Sequence, residues 1–115
     1  MQTRVGITGF GAISAAGVGT ELLCKAAKDG TSQTGPIDLP RGENLRVKLG
    51  AIVKGFEPEA HLSNSEIKRT DRFAQFAHVA AAEAIKQAGL NSDDLAGPKT
   101  AAIIGSGIGL SLIHI

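Results

Sequence analysis

A layered α/β protein built around a parallel sheet is the fold class predicted by this 115-residue sequence. Two mostly apolar runs, residues 4–13 and 100–104, each close in glycines, and helical periodicities lie between them. The resulting order of strand, helix, loop, helix, strand is the alternation from which crossover-connected parallel strands are made.

The first run, Arg4-Val-Gly-Ile-Thr-Gly-Phe-Gly-Ala-Ile13, is partly β-branched, which suits a strand covered on both faces and leaving into a tight turn. From Thr20 the pattern turns helical: Leu22, Leu23, Ala26 and Ala27 recur at helix spacing, and Gly30 supplies a stop. Residues 30–46 carry Gly30, Gly35, Pro36, Pro40 and Gly42 with few large apolar groups, so a surface loop is expected, followed by an extended stretch at 47–53. Ser63 stands three residues before Glu66, the capping-box spacing, and predicts a helix start. Its continuation places Phe73, Phe76, Ala77, Ala80, Ala84 and Ala88 on one face, with Arg72, Gln75, Glu83 and Lys86 largely elsewhere, and Gly89 ends it. The alanines on that face permit close approach of another backbone. An Asn-Ser-Asp-Asp loop at 91–94 then leads to Gly97-Pro98 and the second strand, which opens into Gly105-Ser-Gly-Ile-Gly109.

Composition narrows the function classes. With 12 Lys plus Arg against 11 Asp plus Glu, a net charge of +1 provides no global attraction for nucleic acid or an anionic membrane, and no basic cluster with interleaved aromatics replaces it. No apolar run reaches the roughly 18 residues of a spanning helix. The charge-free stretch behind Arg4 is diluted by Gly6, Gly9, Gly11 and Gly17, which favours a buried strand and loop over a signal peptide. The single Cys24 makes no internal disulfide, and a cytoplasmic location is the expectation. His61, His78 and His114 show no metal-ligand spacing, and Cys24 is expected to be a small structural thiol.

The two glycine loops admit ligand readings. Gly9-Phe-Gly11-Ala-Ile-Ser14 follows a strand, as a dinucleotide fingerprint would, but its sixth position is Ser14. The next helix also begins too late to set its N-terminus against a phosphate at Gly11. Gly105-Ser-Gly-Ile-Gly109 lacks the Lys and Ser/Thr of a phosphate-cradling loop and reads as a crowded turn.

Four blocks together carry a resemblance: residues 4–14, then Ala51-Ile-Val-Lys-Gly-Phe-Glu-Pro58, then Lys68-Arg-Thr-Asp-Arg-Phe73 with Gln75 and Phe76, and finally Ile103-Ile-Gly-Ser-Gly-Ile-Gly109. In this order and spacing they resemble the N-terminal part of the 3-oxoacyl-acyl-carrier-protein synthases, the condensing enzymes of fatty-acid synthesis. Ile108 in the last block is similar to the synthase II branch, where the synthase I branch usually has Gly. Thr70 stands where family members often have Met.

The resemblance implies a thiolase-like layered fold of which residues 1–109 form an incomplete N-terminal half. It implies an acyltransferase that performs decarboxylative Claisen condensation of an enzyme-bound acyl group with malonyl-acyl carrier protein. The catalytic Cys and His residues of the family lie further along, so no catalytic residue is assigned here and the chain alone is expected to be inactive. It further implies acyl carrier protein as partner, with Lys68 and Arg69 steering its docking, Ile108 as gate of the acyl pocket, a homodimer in the complete enzyme, and no metal or nucleotide cofactor. Two alternatives stand beside it: a non-catalytic chain-length subunit of a polyketide ketosynthase, and a dinucleotide-binding domain. The terminal Leu110-Ser-Leu-Ile-His-Ile115 departs from the family, which continues with Gly. It is the translation of CTG TCT CTT ATA CAC ATC, a transposase end used in library preparation, and residues 110–115 are read as such a scar.

Overall fold

A computed structural model describes residues 2–38 and 42–107. Residues 4–11 pass across the long helix of the molecule without regular structure and reach an antiparallel hairpin, β1 (Ile13–Ser14) and β2 (Gly17–Val18), in which Ile13 pairs with Val18. Gly17 and Gly19 have φ values of 137° and 104°, a backbone that a side chain disfavours, and they turn the chain into the first helix. That helix, α1 (Thr20–Asp29), ends as the sequence predicts. Gly30 takes φ 63°, its N–H donates to the Ala27 carbonyl at 3.3 Å, and the Thr31 N–H donates to the Ala26 carbonyl at 3.0 Å.

The predicted loop at 30–46 contains one short strand, β3 (Gly35–Pro36), which pairs antiparallel with β4 (Leu49–Gly50) inside the predicted extended stretch. Single 3₁₀ turns occupy Gly42–Asn44 and Pro58–Ala60.

The capping box predicted at Ser63 is present, and it opens α2 (Asn64–Arg69). The Ser63 N–H donates to Glu66 Oε2 at 2.8 Å and the Glu66 N–H donates to Ser63 Oγ at 3.4 Å. The continuous helix expected from here is broken. Thr70, at φ −125° and ψ 138°, leaves the helical region, and a second helix, α3 (Arg72–Ala88), starts after Asp71. Gly89 at φ 68° closes α3 with the same bond pattern as Gly30. The Asn-Ser-Asp-Asp segment read as loop forms a one-turn helix, α4 (Ser92–Leu95), because Asn91 and Asp94 make a second capping box.

The two long predicted strands are the principal correction. Residues 4–12 and 101–106 carry no ladder, and the strands among the described residues form two separate antiparallel pairs rather than one parallel sheet. Val5, Ile7, Ile103 and Ile104 are 80–96% exposed. An apolar run becomes a strand only when a neighbour accepts its N–H and C=O groups and covers its faces, and here none does. The core is accordingly small, Phe56 and Val79 with the amide of Gln75 among them. The molecule exposes 9821 Å², where a self-sufficient 11.8-kDa monomer exposes roughly 5,900 Å².

Candidate functional site

Helix α3 organises everything that resembles a site, and it does so on two sides. On the first, the loop at residues 9–20 lies against its alanine stripe. A Cβ added at Gly11 would overlap the Ala80 carbonyl, and one at Gly9 would overlap the Ala84 carbonyl and meet the Ala88 nitrogen at 3.0 Å. Both glycines are therefore explained by the approach of two backbones, as the alanines led the sequence reading to expect.

Side chains of α3 then fasten that loop. The Phe10 N–H donates to Gln87 Oε1 at 2.7 Å, the Ala12 N–H to Glu83 Oε2 at 3.0 Å, and the Thr20 N–H and hydroxyl to Glu83 Oε1 at 2.9 and 2.8 Å. Since no side chain caps α1 locally, Glu83 places a carboxylate at its N-terminus from a different helix. Donation from the Thr20 and Ala12 backbone, outweighing partial burial, holds the Glu83 carboxyl below the usual carboxylate range. Periodicity alone had set Glu83 apart from the packed face; the signal available was an α1 start at Gly19-Thr20 with no capping residue of its own.

This geometry removes the dinucleotide alternative. The N–H groups of Phe10, Ala12 and Thr20 that a pyrophosphate would need are already given to α3, and a carboxylate sits where its charge would have to go.

On the second side lies the joint between α2 and α3. The Phe56 ring meets Phe76 edge-on at 4.8 Å between centroids and stacks on His61 at 6.0 Å, and the Arg72 guanidinium stands 5.5 Å from the Phe56 ring and 5.2 Å from that of Phe76. Lys68 and Arg69 occupy the last turn of α2, exposed, and neither forms an ion pair within the described residues. The family resemblance implies a docking role for this pair, and both side chains are exposed. Glu66 accepts from Ser63, and that hydrogen bonding, first from the Ser63 hydroxyl and then from its backbone, lowers the Glu66 pKa and keeps a negative charge on the same short helix as the pair.

Between the two sides is a cavity of about 330 Å³ bordered by His61, Leu62, His78, Val79 and Lys86. His78 reaches Glu66 at 3.9 Å, with both side chains roughly half exposed, and such a pair contributes little. No Ser, Thr or Cys side chain lines the cavity. Cys24 is exposed on α1. Among the described residues no three His, Cys, Asp or Glu side chains converge, and no helix is long and apolar enough to cross a membrane. Ile108 and His114 lie outside the described residues, as does the hexapeptide 110–115.

Residues 2–113 match the family described as beta-ketoacyl synthase, N-terminal domain, and the chain belongs to that family. It is 39% identical over 106 residues to a Staphylococcus aureus (strain N315) protein named 3-oxoacyl-[acyl-carrier-protein] synthase 2, an alignment covering 92% of this chain and 26% of the relative. It is 34% identical over 109 residues, with the same coverages, to a putative polyketide beta-ketoacyl synthase 2 of Streptomyces halstedii. The chain thus spans about a quarter of the length of these relatives. Membership carries with it the thiolase-like fold.

Proposed function

We propose that this chain is the N-terminal portion of a β-ketoacyl-acyl-carrier-protein synthase of the synthase II type, which elongates fatty acyl chains. In that reaction a cysteine thiolate takes an acyl group from its carrier, releasing the carrier thiol. Malonyl-carrier protein then loses carbon dioxide to give an enolate, and the enolate attacks the acyl carbonyl and expels the cysteine thiolate. Donors hold the oxyanion and histidines steady the enolate. These groups belong to the family's later sequence, so the present residues supply scaffold and docking surface, and by themselves no turnover.

The observation that carries this reading is the excess of exposed surface, 9821 Å² against roughly 5,900 Å², with Val5, Ile7, Ile103 and Ile104 the most exposed of the large apolar side chains among the described residues. In the proposed whole, those segments are the opening strands of a layered sheet whose neighbours come from the rest of the enzyme. Lys68 and Arg69 steer the acidic surface of acyl carrier protein, Ile108 gates the acyl pocket, and the complete protein is a cytoplasmic homodimer working without metal or nucleotide.

The test is the gene itself. Read past codon 109, it is expected to encode a cysteine-bearing turn and two histidines, and the encoded protein is expected to condense acyl- and malonyl-carrier protein. Chain 1–115 alone is expected to show no activity. The 34% identity to the polyketide protein keeps one other reading, a chain-length subunit that shares the fold without the nucleophile. A gene continuing without that cysteine would decide for it.

A further inference from the structure

We propose that Gln75 is a positioning residue that fixes the direction of the Lys68–Arg69 pair, an inference that rests on reading the pair as the carrier-protein docking site. Gln75 is 7% exposed, and it is the one buried polar side chain among the described residues. A buried amide is costly unless its polar atoms are bonded, and an apolar side chain of equal length would otherwise pack as well on this helix. Its Nε2 donates to the Thr70 carbonyl at 3.0 Å and the Ile67 carbonyl at 3.4 Å. Those two carbonyls bracket residues 68 and 69. Both belong to the end of α2, where the break at Thr70 leaves carbonyls without helical donors.

Helix α2 has six residues and none of them is buried, with Glu66 and Ile67 only partly covered, so packing holds its orientation weakly. Its start is held by the Ser63 capping box, and its end by Gln75 together with the Thr70 hydroxyl, which donates to the Glu66 carbonyl at 2.6 Å. Arg72, set over Phe56 and Phe76, anchors the first turn of α3 and gives Gln75 a fixed base. The amide thereby transmits the position of α3 to two cations that make no ion pair of their own among the described residues.

The experiment uses the full-length protein, with holo-acyl carrier protein as the binding probe and amide hydrogen exchange as the structural readout. Q75M keeps the volume and removes both donors. It is expected to weaken carrier binding about fivefold and to speed exchange in α2 about tenfold, with the C-terminal half of α3 unchanged. Q75E keeps the shape but turns a carboxylate toward two carbonyls. It is expected to behave like Q75M at neutral pH and to recover toward wild type on acidification, when the acid regains a proton to donate. Protonation also removes a charge from a buried site, so recovery of Q75E is required by the proposal but shared with a packing role, and Q75M, uncharged and without a donor, separates the two. K68E/R69E tests the docking reading separately, by loss of binding and of its salt dependence. Wild-type binding by Q75M beside weak binding by K68E/R69E would overturn the positioning role and leave the docking site standing. Unaltered binding by K68E/R69E would overturn both. Should Q75M fail to fold, Q75L takes its place on the same two readouts, wild-type binding by it overturns the positioning role, and absence of the Q75E recovery counts against the proposal as well.

Discussion

Glu83 shows how much one side chain can settle. A single carboxylate accepts two backbone N–H groups and a hydroxyl from a loop more than sixty residues away, and it fills the N-terminus of α1. Removing it as E83A leaves three part-buried donors unpaired, a loss of about 1–3 kcal/mol measurable by denaturant unfolding of the full-length protein. The pH dependence has a definite sign. The folded Glu83 carboxyl titrates below its ordinary value, so its contribution is complete above that value and lost as pH falls through the lower folded one. The stability difference between wild type and E83Q is therefore expected to be constant near neutrality and to shrink below about pH 4.5. Gly11 makes the complementary case. G11A drives a methyl into the Ala80 carbonyl and is expected to cost about 1–3 kcal/mol, whereas G97A, with open space around it, should stay within about 0.5 kcal/mol.

Among the elements, the helix ends were the most legible and the helix interior the least. Gly30, Gly89 and the Ser63–Glu66 spacing all mark real boundaries, because caps are chosen by chemistry local to four or five residues. G89A, forced to φ 68°, is expected to destabilise α3 by about 1 kcal/mol, read as a lower Tm of the full-length protein. The break at Thr70 escaped a periodicity reading. Ser63 to Ala88 carries no Gly or Pro to announce it, and the broken carbonyls are satisfied by Gln75 from the following helix. Asn91 and Asp94 offered a local signal for α4, yet a run of small polar residues reads equally as a loop.

For the whole molecule, exposed surface outweighs every local agreement. A Cα radius of gyration of 17.1 Å compares with about 13 Å for a compact domain of this length. With three buried side chains among the described residues, chain 1–115 is expected to unfold without a sharp cooperative transition, followed by circular dichroism during heating. A steep transition at micromolar concentration would show that the described elements suffice for a stable core.

By itself the sequence determined α1 with its Gly30 stop, the capping box at Ser63, the close of α3 at Gly89 and the family, since each of these is written in short-range spacing or in four ordered blocks. Only the tertiary structure decided that Gly9 and Gly11 serve a helix rather than a phosphate, that Glu83 and Gln75 hold distant backbone, and that residues 4–12 and 101–106 carry no ladder. The physical reason is the reach of the interactions. A cap is satisfied within one turn of chain, whereas a strand, a buried amide and a borrowed carboxylate each depend on a partner that sequence proximity does not supply.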